Sequence, residues 1–150
     1  MTELAYYKGP SETVNATPQD FYDSLNARFS FTLDPCANKE NHKCDIWYGP
    51  ESPFGTDGLI ESWNGHSVFM NPPYARGQIN KWIKKAHNET YKSPLTIVVA
   101  LIRSATDTKY FHDYIYKKAE LEFVRGRLRF GTNNSPAPFP SMIVIWRNHK

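Results

Sequence analysis

The sequence predicts an α/β fold in which helices pack on the faces of a mostly parallel sheet. Three observations indicate this class. Strands and helices alternate through the second half of the chain. The run "LTIVVALI" (95–102) is apolar almost throughout and rich in β-branched residues, as a buried parallel strand is. The segment "GQINKWIKKAHNE" (77–89) repeats apolar side chains at helical spacing.

The first half of the chain contains few regular elements. Residues 1–16 are predicted to be irregular. "TPQDFYDSLNARF" is predicted to be a helix, with Thr17 as its N-cap and Pro18 at its first position. "FTLDP" (31–35) reads as a short strand that proline ends. The loop-rich stretch that follows contains a short strand at "CDIWYG" (44–49) and a short helix at "DGLIESW" (57–63).

The second half supplies most of the predicted sheet. "HSVFM" (66–70) is a strand, and the helix after it places Ile79, Trp82, Ile83 and Ala86 on one face. After "LTIVVALI", "TDTKYFHDYIYKKA" (106–119) is predicted to be a helix capped by Thr106. "LEFVRGRLRF" (121–130) and "SMIVIW" (141–146) are the closing strands.

Length and composition are those of one globular domain, 1–150, with 40% hydrophobic and 22% charged residues. No stretch is apolar enough to span a bilayer, and the acidic start does not resemble a signal peptide, so the expected location is cytoplasmic. Cys36, His42 and Cys44 match no standard zinc spacing, so we expect no metal and two ordinary thiols.

Charge is distributed unevenly along the chain. Residues 1–75 carry a net charge of −6 and residues 76–150 carry +9. A polyanion would therefore be attracted to the second half. Lys84-Lys85 and Lys117-Lys118 also fit solvated helix faces. The arginines of "VRGRLRFG" alternate along a predicted strand and would share one face.

The stretch "FMNPPYARG" (69–77) carries the chemistry. In an open α/β sheet, ligands bind outside the carboxyl ends of the strands, and Asn71 stands at such an end. Asn71 offers a side-chain oxygen, Pro72 a carbonyl oxygen and Tyr74 a flat ring. Two acceptors and a stacking ring suit a planar exocyclic amine. When the two oxygens accept hydrogen bonds from both N–H groups, the lone pair of the nitrogen becomes available for attack.

The Asn-Pro-Pro-Tyr sequence resembles motif IV of S-adenosylmethionine-dependent amino-group methyltransferases. "TPQDFYDSL", "FTLDPCA", "DGLIESW", "VFMNPPYARGQINKWIKKA", "ALIRSATDTKYF" and "RGRLRF" follow in the order of the phage-type Dam DNA N6-adenine methyltransferases. The resemblance covers about residues 17–147. It implies a compact, reduced Rossmann-like methyltransferase sheet, mostly parallel with an antiparallel edge strand and with helices on both faces. It also implies a phage or prophage gene expressed in a bacterial host cell.

The resemblance assigns roles by position. Asn71, Pro72, Pro73 and Tyr74 correspond to the catalytic loop that holds adenine. "LDPCA" resembles a degenerate motif I, which implies S-adenosylmethionine as cofactor. The implied cofactor-binding residues are Thr17, Pro18, Asp34, Pro35, Ala37, Asp57 and Asn71.

The departures from the family pattern concern the first half. Cys36, Ala37 and Asn38 replace the glycine-rich turn that normally lets backbone approach the cofactor. Only 37 positions separate Asp34 from Asn71, whereas three βαβ crossovers would need roughly 90 residues. We therefore expect loops in place of helices in this half of the sheet.

The expected partner is double-stranded DNA, from which the adenine must leave the stack to reach the loop. Arg76 and Arg103 lie at carboxyl strand ends and are the first predicted phosphate contacts, followed by Arg125, Arg127 and Arg129. For Arg127 a structural ion pair is the alternative. Phe139 is predicted either to cover the second face of the base or to pack the proline-rich loop.

The chain has no room for a separate target-recognition domain, so sequence choice would come from loops on the core or from the second protomer of a homodimer. Two other classes of function stay open at this point. One is a methyltransferase that acts on an RNA base or a protein glutamine amide, and the other is a non-catalytic nucleic-acid-binding module.

Overall fold

The computed structural model describes residues 16–130 and 136–148; the predicted irregular segment 1–16 lies almost wholly outside them. Within these residues no helix has the length and apolar character needed to cross a membrane. The helices are α1 (Gln19–Phe29) and α2 (Ile79–Lys92), with a π-helical turn at Phe111–Ile115. The strands are β1 (Leu33–Asp34), β2 (Ile46–Trp47), β3 (Ser67–Met70), β4 (Ile97–Arg103), β5 (Glu120–Phe123) and β6 (Ser141–Trp146).

The six strands form one open sheet in the order β2-β1-β3-β4-β6-β5. β2, β1, β3 and β4 are parallel, and β6 runs antiparallel to both of its neighbours. The antiparallel strand thus lies one place in from the edge, where the sequence had predicted it at the edge itself. Burial accounts for the difference, because every residue of the apolar β6 is buried while the more polar β5 stays partly exposed.

Two apolar clusters are built from alternate residues of the central strands. Val68 and Met70 of β3 belong to a cluster with Trp82 and Ile83 of α2. Phe69, which lies between them in β3, belongs to a second cluster that includes Tyr22 and Leu25 of α1. Successive strand residues point to opposite faces. The helical stripe predicted for α2 is confirmed, since Ile79, Trp82, Ile83 and Ala86 are all buried.

The first half of the sheet is reduced, as the short spacing predicted. β1 and β2 have two residues each, and no helix lies between residues 35 and 66, all of which are described. The short helix predicted at 57–63 is wrong, because these residues form a single turn. The Asp57 carbonyl accepts from the N–H groups of Ile60 and Glu61, and Trp63 then turns inward to full burial.

Two elements predicted in the second half are longer than those in the structure. The helix predicted over 106–119 is shorter, since only residues 109–115 are helical. It includes the five-residue π-helical turn, in which the Tyr116 N–H donates to the Phe111 carbonyl at 2.8 Å. Thr106 is not its cap. The strand predicted over 121–130 ends at Phe123, because Gly126 adopts a left-handed φ of 75° that interrupts the extended chain.

Candidate active site

Three neighbouring parallel strands end side by side at the candidate site. Asp34 ends β1, Asn71 follows the last residue of β3, and Arg103 ends β4. Because β1, β3 and β4 are adjacent and parallel, their carboxyl ends lie at the same edge of the sheet. The Asn-Pro-Pro-Tyr loop therefore occupies the middle of this edge.

The Asn71 amide is held by a residue far away in the sequence. Its Nδ2 donates to Thr17 Oγ1 at 3.0 Å. Thr17 is buried and does not cap α1 as predicted; Pro18 stands at the cap, with an extended ψ of 134°, and the helix begins at Gln19. The Thr17 hydroxyl is thereby used at the cleft, where it orients the Asn71 side chain.

Tyr74 is fixed by a hydrogen bond and two ring contacts. Its hydroxyl donates to the Leu101 carbonyl of β4 at 2.8 Å. Its ring meets Phe139 and Phe130 edge-on, with centroids 5.4 and 6.5 Å away. Phe139 is only 7% exposed, which favours the packing role that the sequence left as an alternative to covering a base.

Asp34 is a buried acid at the end of β1. Its carboxylate accepts from the backbone N–H of Lys43 at 2.9 Å and from that of Cys36 at 3.4 Å. Burial raises the pKa of Asp34 to about 6, although these two N–H groups act in the opposite direction. The carboxylate is thus ionised at neutral pH but close to the range in which it gains a proton.

A small cleft brings Thr17, Asp34, Asn71, Pro72 and Pro73 together. All five are site residues predicted from the sequence. The rest of its described lining consists of Ala16, Cys36, Asn41, Lys43 and Phe69. The cleft is about 20 Å³ in volume, which is room for roughly one water molecule.

The other predicted cofactor residues do not line this cleft. Pro18 caps α1, and the Ala37 N–H donates to the Tyr48 carbonyl at 3.1 Å. Asp57 is exposed, and its carboxylate accepts from the Leu59 N–H at 2.9 Å within its own turn. Pro35 is buried beside Gly58.

Glycines from two other loops supply the close approach that the loop after β1 lacks in its own sequence. A Cβ added at Gly58 would lie 1.9 Å from the Pro35 carbonyl oxygen, and one added at Gly49 would lie 1.9 Å from that of Ala37. Both positions therefore exclude a side chain. The turn after Asp34 is thus held by backbone packing from Gly49 and Gly58, which lie outside the segment that resembles motif I.

A second, larger cavity begins at Tyr74, the last residue of the loop. It measures about 1200 Å³ and is lined by Tyr74 together with Arg76 and Arg103, both predicted DNA contacts. Arg125, Arg127 and Arg129 do not line it. All three are exposed in the irregular segment after β5, so the shared strand face predicted for them is wrong. Arg127 donates to the Ala137 carbonyl at 3.3 Å.

Sequence reasoning missed polar residues in both cavities. Asn41 and Lys43 join the cleft because the loop before β2 folds back on Asp34. Lys81, Lys84 and Lys109 join the larger cavity. The signal for Lys81 and Lys84 was their spacing of three on the polar side of α2, which the sequence alone cannot separate from a solvated face.

An open mixed sheet with a polar loop at the carboxyl ends of its parallel strands defines an α/β protein with a ligand site at that edge. The model of the family described as DNA N-6-adenine-methyltransferase (Dam) matches residues 8–150. The chain therefore belongs to the Dam family of DNA N-6-adenine methyltransferases. A comparison with curated proteins found no match.

Proposed function

We propose that this protein transfers a methyl group from S-adenosylmethionine to the N6 amine of adenine in DNA. One observation carries the proposal: successive residues of the Asn-Pro-Pro-Tyr loop line two cavities of different chemistry. Asn71, Pro72 and Pro73 line the small polar cleft, and Tyr74 lines the large cavity with its basic residues. A cofactor on one side and a base on the other would meet at the loop.

The side chains of the cleft suit the amino-acid end of S-adenosylmethionine. The Asp34 carboxylate would pair with the ammonium group of the cofactor and the Lys43 ammonium with its carboxylate. Bound there, the cofactor would supply a methyl group that is attached to a positively charged sulfur. When the methyl group is transferred, the bond to sulfur breaks and the sulfur leaves as a neutral thioether. Because ligand pockets measure roughly 300 Å³ or more, the cleft walls must move apart when the cofactor binds.

The loop would hold the adenine amine in a reactive geometry. The Asn71 side-chain oxygen and the Pro72 carbonyl each accept a hydrogen bond from one N–H of the amine, and the Tyr74 ring stacks on the base. Thr17 keeps the Asn71 amide in one orientation by accepting from its nitrogen. The base reaches this position by rotating out of the duplex.

The fold supports the same proposal. We infer a reduced Rossmann-like methyltransferase sheet in one domain, with helices on both faces, because α1 and α2 contribute to different apolar clusters. Loops of this core or a second protomer would select the DNA sequence.

Transfer of labelled methyl groups to unmethylated duplex DNA tests the proposed reaction. We expect product in the form of N6-methyladenine, and Asn71→Ala should lower kcat about 100-fold or more because it removes one acceptor of the amine. Asn88→Ala, on the exposed side of α2, is the matched control and should retain activity.

Parallel reactions with RNA and with a glutamine-containing protein separate the alternatives. Methylation of either substrate in preference to DNA would contradict the proposal. Wild-type turnover by the Asn71→Ala variant would contradict the role of the loop. If calorimetry detected binding of DNA but no binding of S-adenosylmethionine, the result would indicate the non-catalytic nucleic-acid-binding module.

A further inference from the structure

The large cavity beside Tyr74 is a groove with one dominant charge, here called the cationic groove. Five basic residues line it against a single acid: Arg76, Lys81, Lys84, Arg103 and Lys109, with Asp113. One wall is the start of α2 with the residues before it, and the other is the segment from the end of β4 to the π-helical turn. Residues more than twenty positions apart thus combine into one positive surface.

Among the residues that the structure describes, several cations outside the groove are paired with acids, whereas three cations of the groove are not. Arg28 pairs with Glu122, Arg147 with Glu120, and both Lys85 and Lys92 with Glu89. In the described part of the chain, Arg76, Lys81 and Lys84 make no ion pair.

The remaining two cations of the groove have partners within it. Arg103 interacts with the Tyr110 side chain. Lys109 pairs with Asp113 at 2.6 Å, but this pair is exposed and screened by solvent. Cations collected on facing walls repel one another, and a polyanion between the walls would relieve that repulsion.

The size and position of the groove point to one strand of nucleic acid. Its volume of about 1200 Å³ is slightly above the range of small-molecule pockets, which suits a few nucleotides of a single strand rather than a duplex. Its lining begins at Tyr74, the last residue of the catalytic loop. A strand in the groove would therefore lead directly to the position proposed for the adenine.

We infer that the cationic groove holds the sugar-phosphate backbone of the DNA strand that carries the target adenine, next to the rotated base. This inference rests on the proposed function and adds Lys81, Lys84 and Lys109 to the binding surface. It also separates the groove from Arg125, Arg127 and Arg129, which lie outside it.

The test compares two double variants of equal net charge by fluorescence anisotropy with a labelled DNA duplex over a range of salt concentrations. Lys81→Ala/Lys84→Ala removes two groove cations, whereas Lys39→Ala/Lys117→Ala removes two exposed cations outside the groove. All four changes are at exposed positions, and circular dichroism confirms folding. The plot of log K against log salt slopes downward, and each lost phosphate contact makes this slope shallower by about 0.9. The slope for the groove variant should therefore be shallower than the wild-type slope by about 2.

Kinetics give a second readout. The groove variant should raise KM for DNA while KM for S-adenosylmethionine and kcat at saturating DNA stay unchanged, because the lysines bind the strand and do not touch the reacting atoms. A groove variant with the wild-type salt slope overturns the inference, even if methyl transfer is intact. Tighter binding of RNA than DNA through the same lysines would also overturn it.

The proposed function and the binding of DNA by the groove are tested by different measurements. Failure of methyl transfer in the wild-type protein would contradict the proposed function, while the salt slopes would still show whether the groove binds DNA. The Asn71→Ala variant should keep the wild-type salt slope, because Asn71 is not part of the groove.

Discussion

At the scale of single residues, the contact between Asn71 and Thr17 connects the Asn-Pro-Pro-Tyr loop with the segment ahead of α1. The two residues are 54 positions apart in the sequence, and Thr17 is 5% exposed. The Thr17 hydroxyl can donate as well as accept, and here it accepts from the amide nitrogen. The amide oxygen is thereby directed away from Thr17, where it would face the amine in the proposed reaction.

Thr17→Val is therefore expected to slow the reaction without preventing cofactor or DNA binding. Loss of one hydrogen bond, about 1 kcal/mol, corresponds to roughly a fivefold fall in kcat at saturating substrates. Thr17→Ser keeps the hydroxyl and should restore the rate. Single-turnover kinetics measure the effect, and a valine variant with the serine variant's rate would show that the contact does not position Asn71.

Asp34 predicts how cofactor affinity depends on pH. Because its pKa is raised to about 6, the carboxylate becomes protonated as the pH falls through that value and loses its charge. Binding of a ligand ammonium should weaken below pH 6, approaching tenfold per pH unit. Calorimetric titration with S-adenosylmethionine measures this dependence.

Asp34→Asn is the control for that pH profile. The variant should bind the cofactor more weakly at neutral pH and show no inflection near pH 6, because the neutral amide does not titrate. An unchanged inflection in the variant would assign the pH dependence to another group.

At the scale of elements, α2 holds the reduced first half of the sheet through a buried acid. Glu89 is 4% exposed and accepts from the Trp63 backbone N–H at 2.7 Å. Burial raises the pKa of Glu89, but the Trp63 N–H and the ammonium groups of Lys92 and Lys85 outweigh it, so the pKa lies below its usual value. The loop over 57–65 is thereby attached to the helix that follows the Asn-Pro-Pro-Tyr loop.

Glu89→Ala should lower the free energy of unfolding by about 2 kcal/mol, because the buried Trp63 N–H loses its acceptor. Since the folded pKa is lowered, the ionised carboxylate stabilises the fold above its unfolded pKa, and this contribution is lost as the pH falls through the folded value. Urea unfolding at neutral and acid pH measures both effects. Glu40→Ala, at an exposed position, should change stability by less than about 0.5 kcal/mol; an equal loss in both variants would contradict this role.

At the scale of the whole molecule, the proposed cofactor cleft draws on distant parts of the chain. Its described lining comes from two residues ahead of α1, the end of β1, the loop between β1 and β2, and β3 with the loop after it. A ligand that binds these segments together should stabilise the entire fold and not one part of it.

Saturation with S-adenosylmethionine at 100 times its Kd should add about 2.7 kcal/mol of stability. For a chain of this length that corresponds to a rise in Tm of roughly 5 to 10 °C, which calorimetry can measure. We expect a single transition that moves as a whole, since the sequence predicts one domain. Two transitions, of which only one moved, would contradict the single domain, and Asp34→Asn should show a smaller shift.

The sequence by itself determined the elements whose residues interact locally. The spacing of Ile79, Trp82 and Ile83 predicted the buried face of α2, and the apolar runs predicted β3 and β4, because helix and strand periodicity is a property of neighbouring residues. The position of the Asn-Pro-Pro-Tyr loop followed from the end of β3. The replacement of helices by loops followed from the distance between Asp34 and Asn71.

Features that depend on contacts between residues far apart in the sequence were fixed by the folded chain. It placed the apolar β6 inside the sheet, turned Thr17 from helix capping to Asn71, and gathered Lys81 and Lys84 with Arg103 in one groove. It also ended β5 before Arg125. Each of these outcomes depends on which surfaces the folded chain brings together, and local propensities do not contain that information.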